Sequence, residues 1–185
     1  MTLEEVLLSD NIVESINNNI DYLLEIIPEI KDMIGFDHKH PHHHLDVWNH
    51  TLLALSLSPK DFDIRLSLLL HDIGKPHSYQ EGEIRHFKGH PKVSKDISKE
   101  ILTRLNYEEE CISKICYLIE EHDSPITEND ISKDKELCIK RFQIQYCDAL
   151  AHNPEKLSKR IDYLRKISSK LNYDLDESKI LKLIK

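Results

Sequence analysis

The chain has 185 residues, of which 39% are apolar and 31% are charged, and its formal net charge is -8 at pH 7. This length is enough for one domain with a buried core, and the composition is typical of a soluble globular protein. The acidic balance argues against broad binding to nucleic acid or to an anionic membrane, although a bound cation can reverse the field locally. No apolar run approaches the ~20 residues of a membrane span. The acidic N-terminal segment lacks the pattern of a signal peptide, so we expect a cytoplasmic protein.

Helical periodicity runs through nearly the whole chain, so we expect an all-α fold in a single domain over residues 1–185, with a core at about 44–151. The predicted helices cover residues 2–9, 11–33, 45–57, 59–70, 90–105, 108–122 and 133–152, and a last long one begins at Asn153-Pro154. Ser58 and Pro59 have the pattern of an N-cap and a first helical residue. The predicted loops are residues 36–44, 76–89 and 123–132, and the second of these is a small loop or hairpin turning at Glu81-Gly82. The four cysteines form no Cys-x-x-Cys pair, so we expect reduced and mostly buried thiols.

The strongest chemical signal is a set of imidazoles and carboxylates on the inner faces or at the ends of apolar helices. His71 and Asp72 follow a continuous apolar run, and Gly74 is expected to end that helix so that both side chains converge. Nitrogen and oxygen donors without a thiolate suit Fe, Mn, Ni, Co or Zn, with Mg less favoured. The predicted metal ligands are His50, His71, Asp72, His90, His122 and Asp148.

Three of these residues also have an ordinary structural interpretation. His90 could be the N-cap of the helix that Pro91 continues. His122 could belong to a frayed helix end, and Asp148 could be a buried hydrogen-bond partner. Their occurrence together and in this order favours a metal site, because buried imidazoles and carboxylates need partners.

Three segments resemble the HD superfamily of metal-dependent phosphohydrolases, of the type whose motif reads His-Asp-Ile-Gly. The closest resemblance is to the HD domain that follows the polymerase head in some CCA-adding tRNA nucleotidyltransferases. Residues 46–52 (DVWNHTL) resemble its first metal-ligand helix, residues 69–76 (LLHDIGKP) its central motif and residues 86–90 (HFKGH) its next one. The similarity extends over about residues 44–151 and implies an all-helical HD bundle.

The resemblance also implies a role for each matching residue. His50, His71, Asp72 and Asp148 would hold one divalent metal, and His90 and His122 would hold a second one, with Asp72 as the bridge. Two such metals can share a water and lower its pKa, which makes Asp72 a catalytic candidate. Lys75 would contact the substrate phosphate or assist the leaving group. The alternative for Lys75 is a cation that satisfies carbonyl groups at a helix end.

These roles favour a phosphomonoesterase or phosphodiesterase acting on a nucleotide or another small phosphorylated substrate. Two alternatives stay open: a di-iron oxygenase with the same ligands, and a non-catalytic regulator that binds a nucleotide. The 43 residues before His44 are too few for the nucleotidyltransferase head, so we expect a free-standing hydrolase. Binding to a membrane or to nucleic acid is not expected, but a tRNA-related substrate stays open.

A histidine-rich segment precedes the first motif, with His38, His40, His42, His43 and His44 close together. It is predicted to be a flexible polar loop, and deliberate metal binding is the alternative. A further possibility is that His44 enters the mouth of the site as a substrate contact. His86, in the third motif, is another candidate substrate contact.

Overall fold

The structure is a computed structural model that describes residues 1–184. Within these residues the chain forms eleven α-helices and no β-strand, so the prediction of an all-α fold is confirmed. The α-helices are α1 Leu3–Leu7, α2 Ile12–Asn18, α3 Ile20–Ile26, α4 Val47–Leu57, α5 Phe62–Leu70, α6 His90–Arg104, α7 Glu109–Glu120, α8 Glu128–Lys133, α9 Lys135–Leu150, α10 Ser158–Leu171 and α11 Glu177–Ile184. Short 3₁₀ turns lie at Pro28–Asp32, Lys75–His77 and Pro154–Lys156. None of the described helices is long and apolar enough to cross a membrane.

Helix α5 lies at the centre of the fold, where it packs against α4, α7 and α9. Every residue from Ile64 to Leu70 is buried, as the continuous apolar run predicts. Full burial of each such leucine stabilises the fold by roughly 1.5–3 kcal/mol. Because α5 is central, the residues that follow it, His71 and Asp72, also lie inside the protein.

One contiguous apolar core includes side chains from Leu3 to Ile180. All four cysteines are free and three are buried, which confirms the prediction made for them. The assignment of residues 1–185 to a single domain stays a prediction, and its last residue lies outside the described part of the chain.

The prediction of one helix over residues 11–33 is wrong. The chain instead forms α2, α3 and a 3₁₀ turn that begins at Pro28. Proline has no amide hydrogen and its ring clashes with the preceding helical turn, so α3 ends at Ile26. Asn19 separates α2 from α3 with a backbone conformation outside the helical region (φ -119°, ψ 22°). The break was therefore readable from the residue types.

The predicted start of α5 at Pro59 is also wrong. The side chain of Asp61 accepts a hydrogen bond from the amide of Ile64 at 3.0 Å, so Asp61 is the N-cap and the helix begins at Phe62. An aspartate that accepts from the third helical amide is a strong N-terminal signal.

Two later segments contain more helix than predicted. The predicted loop over residues 123–132 includes most of α8, which begins with a capping box between Thr127 and Asp130. Asn153-Pro154 opens only a 3₁₀ turn, and the last long helix is divided into α10 and α11. Asn172 ends α10 in the left-handed conformation, with φ 51°.

The predicted insertion after the His-Asp motif is an irregular loop with one isolated antiparallel bridge between Gln80 and His86. Arg85 connects this loop to the histidine-rich segment through two contacts. Its NH1 donates to the carbonyl of Asp37 at 2.7 Å, and its guanidinium lies 4.8 Å from the ring centroid of Phe36. The two loops therefore lie together at the entrance to the candidate metal centre.

Candidate metal centre

All of the predicted metal ligands come together in one buried cluster. Five turns or helices supply them: His50 lies in α4, His71 and Asp72 in the turn after α5, His90 at the first residue of α6, His122 in the turn after α7 and Asp148 in α9. Since five parts of the chain meet at this point, the cluster depends on the tertiary fold and not on any one helix.

The carboxylate of Asp72 lies between two groups of imidazoles. Its Oδ2 lies 3.2 Å from Nε2 of His71 and 3.6 Å from Nε2 of His50. Its Oδ1 lies 3.2 Å from Nε2 of His90 and 3.9 Å from Nε2 of His122. Each oxygen therefore faces its own pair of histidines.

Asp148 completes the first group. Its Oδ1 lies 2.9 Å from Nε2 of His50 and 3.6 Å from Nε2 of His71. Its Oδ2 accepts a hydrogen bond from NH1 of Arg160 at 3.1 Å. The second oxygen is thus held by a cation while the first faces the cluster.

The histidines share one orientation: their Nδ1 atoms lie within hydrogen-bond distance of backbone carbonyls. The pairs are His71 with Leu68 (2.7 Å), His90 with Phe87 (3.0 Å), His122 with Ile119 (2.6 Å) and His50 with Ala151 (3.2 Å). A carbonyl can only accept, so each Nδ1 carries a proton, and in the neutral ring each Nε2 presents a lone pair to the cluster. Such a carbonyl partner is the usual way in which proteins orient a metal-binding histidine.

The electrostatics of the cluster favour a cation. Burial acts to lower the pKa of His71, but the carboxylates of Asp72 and Asp148 outweigh it and raise that pKa to about 10. Burial acts to raise the pKa of Asp72, while the positive charges of His71 and Lys75 hold it well below its usual range. In the protein alone, a proton on His71 thus balances part of the carboxylate charge. A divalent ion can replace that proton, because metal ligation requires neutral imidazoles and ionised carboxylates.

The residues present fit metal ions. Nε2 of His71 and both oxygens of Asp72 are buried and have no hydrogen-bond partner among the described residues. Buried polar atoms of this kind call for a bound ion or water. Three sets of ligand atoms lie close enough to hold an ion, each within 4.8 Å: His50, His71 and Asp72; His50, Asp148 and His152; and Asp72, His90 and His122. The protein can therefore hold metal ions here, and their identity and number stay predictions.

The helix predicted to begin at His90 does so, and the alternative that His90 is its N-cap is wrong, because Gly89 occupies that position with φ 80°. The expectation for Gly74 is wrong. Gly74 does not end α5, which already ends at Leu70. Gly74 instead packs against α6, where its amide donates to Oγ of Ser94 at 2.9 Å.

Lys75 is buried, and its ammonium group lies 2.8 Å from Oδ2 of Asp72 and 3.1 Å from Nε2 of His38. The contact with Asp72 is an ion pair whose angles fall outside those of a hydrogen bond. Lys75 thus lies beside Asp72 at the centre of the cluster, and its role toward a substrate stays a prediction.

A cleft of about 370 Å³ opens onto the cluster. Its lining carries four basic side chains: Lys75, Arg85, Lys88 and Arg160. The candidate substrate contact His86 lines the entrance, whereas the exposed side chain of His44 lies outside the lining. The neighbouring ring of His43 takes that place and stacks on His38 with 3.7 Å between the ring centroids.

The histidine-rich loop contributes no residue to the three-ligand sets found in residues 1–184. It surrounds the cleft instead. The ring of His43 lies 4.4 Å from that of His152, and His40 lies 6.0 Å from His86, both measured between centroids. Metal binding by this loop alone therefore has no support in its geometry.

Sequence reasoning gave no individual role to three residues of the site: His152, Arg160 and His38, which it placed only in the histidine-rich loop. His152 had a readable signal, because it follows Asp148 by four residues and so shares its helix face. Its Nδ1 donates to the carbonyl of Asp148 at 2.7 Å. His38 and Arg160 had none, since their positions depend on the path of a loop and on the packing of α10.

The fold and the cluster define a helical protein with a buried group of histidines and aspartates that can hold metal ions. The profile of the HD domain family matches residues 42–184, so the chain belongs to the HD domain family. It is similar to the CC-adding tRNA nucleotidyltransferase of Thermus thermophilus, with 33% identity over 104 residues that cover 52% of this chain and 24% of the relative. It is also similar to the A-adding tRNA nucleotidyltransferase of Deinococcus radiodurans, with 31% identity over the same length and coverage. The chain thus spans about a quarter of the length of these curated relatives, and the predicted resemblance to their HD region is confirmed.

Proposed function

We propose that the protein is a metal-dependent phosphohydrolase, a phosphomonoesterase or phosphodiesterase for a nucleotide or another small phosphorylated substrate. The position of Asp72 carries this proposal, because its two oxygens face separate pairs of histidines. One carboxylate between two groups of neutral imidazoles suits two ions that share a ligand. When bound, such ions supply positive charge to phosphate oxygens and a water of lowered pKa.

The chain's own side chains would bind and orient the phosphate. Lys75 places a buried ammonium group beside Asp72 and holds a proton at Nζ close to the reacting phosphate. Arg160 lines the opposite part of the cleft, and its planar guanidinium can bind two phosphate oxygens at once. Arg85 and Lys88 add positive charge at the entrance. Fixed charges in a partly enclosed cleft stabilise a transferring phosphoryl group without having to reorganise.

The basic lining also favours hydrolysis over the two alternatives. A di-iron oxygenase would use the same ligand set, but four cations around the cleft suit an anionic substrate. A non-catalytic regulator would not need every ligand to converge as these do. The tRNA named in both relatives supports including a tRNA-like 3′ end among the substrates to be tested.

Elemental analysis together with a substrate panel tests the proposal. The purified chain, reloaded separately with Fe, Mn, Ni, Co, Zn or Mg, is assayed on nucleotides, cyclic nucleotides, aryl phosphates and a tRNA 3′-end oligonucleotide. We expect release of phosphate or opening of a cyclic phosphate. The substitutions Asp72→Ala and His71→Ala should each lower that rate by more than about 100-fold. Loss of a residue that only hydrogen-bonds to a metal ligand can already cost about 100-fold, and these substitutions remove a ligand itself. The matched control is Asp162→Asn, an exposed carboxylate on α10.

Three outcomes would overturn the proposal. Absence of turnover across the panel with every metal would do so. Stoichiometric iron with substrate-dependent O₂ uptake would favour the oxygenase. Tight nucleotide binding without turnover would favour the regulator.

A further inference from the structure

A second groove, of about 240 Å³, opens beside the metal cleft. The two cavities share His122, Asp123 and Arg160 in their linings. Sites that enclose a whole small molecule measure roughly 300–1,000 Å³, so this groove is sized for part of a ligand. A molecule with its phosphate beside Asp72 can therefore extend past Arg160 into the groove.

The polar groups around the groove are largely engaged with one another. Nε2 of Gln145 donates to the carbonyl of Ser124 at 2.7 Å, and its Oε1 accepts from the hydroxyl of Tyr163 at 3.0 Å. The same hydroxyl accepts from the amide of Ile126 at 2.9 Å. Because its hydroxyl is held from two sides, Tyr163 presents a fixed aromatic ring to the groove. The lining also includes Lys159 and three apolar side chains: Pro125, Ala149 and Leu164.

Arg160 lies at the border between the two cavities. Its NH1 contacts Oδ2 of Asp148 at 3.1 Å, and its NH2 lies 3.7 Å from Oδ1 of Asp123. The side chain is nevertheless 43% exposed. Its guanidinium is therefore held in place and still accessible to a ligand that spans both cavities.

We propose that this groove is the subsite for a planar ring in the organic part of the substrate, with the phosphate beside Asp72 and Arg160 between the two. The inference rests on the proposed phosphohydrolase function and narrows its substrate class to phosphate esters that carry a planar aromatic ring (ring-bearing esters). Stacking on Tyr163 would accept a nucleobase or an aryl group alike, because every such ring has a π face. A sugar phosphate has no planar aromatic ring and would leave the groove empty.

The test compares three phosphomonoesters on the metal-loaded chain: adenosine 5′-monophosphate, p-nitrophenyl phosphate and ribose 5-phosphate. Removal of a stacked aromatic side chain costs about 1–3 kcal/mol, so Tyr163→Ala should lower kcat/KM and affinity for ring-bearing esters roughly 5- to 150-fold. Values for ribose 5-phosphate should not change. Tyr163→Phe is the matched control, since it keeps the ring and should retain the preference for ring-bearing esters.

Calorimetry also measures the affinities, and these values distinguish failure of the ring subsite from failure of the phosphohydrolase function. The ring-bearing esters could bind in a Tyr163-dependent way without being hydrolysed. That result would overturn the phosphohydrolase function and support the groove as the ring subsite. If Tyr163→Ala affects all three esters equally, or none of them, the groove is not the ring subsite. The phosphohydrolase function would still be supported by the observed hydrolysis. An effect on the nucleotide alone would identify a nucleobase as the source of the ring.

If circular dichroism shows that Tyr163→Ala is unfolded, the wild-type chain supplies the measurement. We expect adenosine to bind the phosphate-saturated protein and ribose not to bind. Equal binding of both, or of neither, would overturn the proposal.

Discussion

The ammonium group of Lys75 lies 3.1 Å from Nε2 of His38, a histidine outside every sequence motif. Nδ1 of His38 donates to the carbonyl of Leu45 at 2.9 Å, which leaves Nε2 as the acceptor for Lys75. Burial and the positive charge of Lys75 lower the pKa of His38 to about 2. The ring is therefore neutral at ordinary pH and can hold Lys75 in position.

From this contact we expect His38→Ala to lower kcat while leaving the metal content unchanged. Loss of the acceptor frees the lysine to move, and misplacement of a catalytic group by ~1 Å can cost about 100-fold. His38→Gln, whose side-chain oxygen can accept from Lys75, should restore part of the rate. Steady-state kinetics on metal-loaded protein measures both variants.

The control for this prediction is His42→Ala, because His42 is exposed in the same loop and lies outside the lining of the cleft. Equal rates for His38→Ala and wild type would show that Lys75 needs no positioning by His38.

The clustering of the six candidate ligands could be predicted because most of them follow apolar residues or lie on an inward helix face, whereas His90 was assigned from the resemblance of residues 86–90 to the HD superfamily. Their role as metal ligands stays a prediction. His71 and Asp72 come after the buried helix α5, and burial of two polar groups there demands a partner. The element types were readable for the same reason, since the periodicity of long helices reports which face is buried.

The parts that could not be predicted depend on contacts between distant segments. Arg160 reaches Asp148 only because α10 folds back onto α9, and nothing in its local pattern marks it. His38 and His44 lie in one loop, yet one is buried and the other exposed, because loop geometry decides which ring points inward. Gly74 was assigned to the correct motif for the wrong reason, since its contact with Ser94 is tertiary.

The second group of ligands predicts a change in metal stoichiometry. We expect His122→Ala to lower the metal content from about two ions per chain to about one, because two-metal sites need ligands on both sides of the bridge. The set of His50, His71 and Asp72 remains intact in that variant. Elemental analysis after dialysis measures the content, and His77→Ala is the control, since His77 is half-exposed and pairs with Asp32. Two retained ions would contradict the assignment of His122 to a second metal.

A buried arginine holds the segment that carries His122. Arg141 donates to the carbonyls of Glu121 at 3.0 Å, Ser124 at 2.7 Å and Pro125 at 3.1 Å. We expect Arg141→Met to lower the free energy of unfolding by about 1–3 kcal/mol, because carbonyl groups of this segment lose their hydrogen-bond donor. Urea denaturation measures this value, and Arg141→Lys should give an intermediate loss because one ammonium cannot reproduce the guanidinium fork.

The control for this prediction is Arg165→Ala, which removes only a surface ion pair with Glu177 and should change stability little. An effect of Arg141→Met as small as that of Arg165→Ala would mean that the loop is held by other contacts.

The glycine of the His-Asp-Ile-Gly motif is explained by a close approach between two backbones. Gly74 has φ -84°, which any residue can adopt, but a β-carbon at this position would overlap the backbone amide of Ser94 and lie 2.9 Å from the carbonyl carbon of Val93. Neither backbone atom can move without moving α6, whose first residue is His90.

We expect Gly74→Ala to lower the free energy of unfolding by about 1–3 kcal/mol, as overpacking does, and to weaken metal binding on the His90 side. Urea denaturation and metal titration measure the two effects. Gly82→Ala, in the exposed loop, is the matched control because the nearest atom to a β-carbon there is the carbonyl oxygen of Ile84 at 3.3 Å. Stability of Gly74→Ala equal to that of Gly82→Ala would show that α6 can shift without cost.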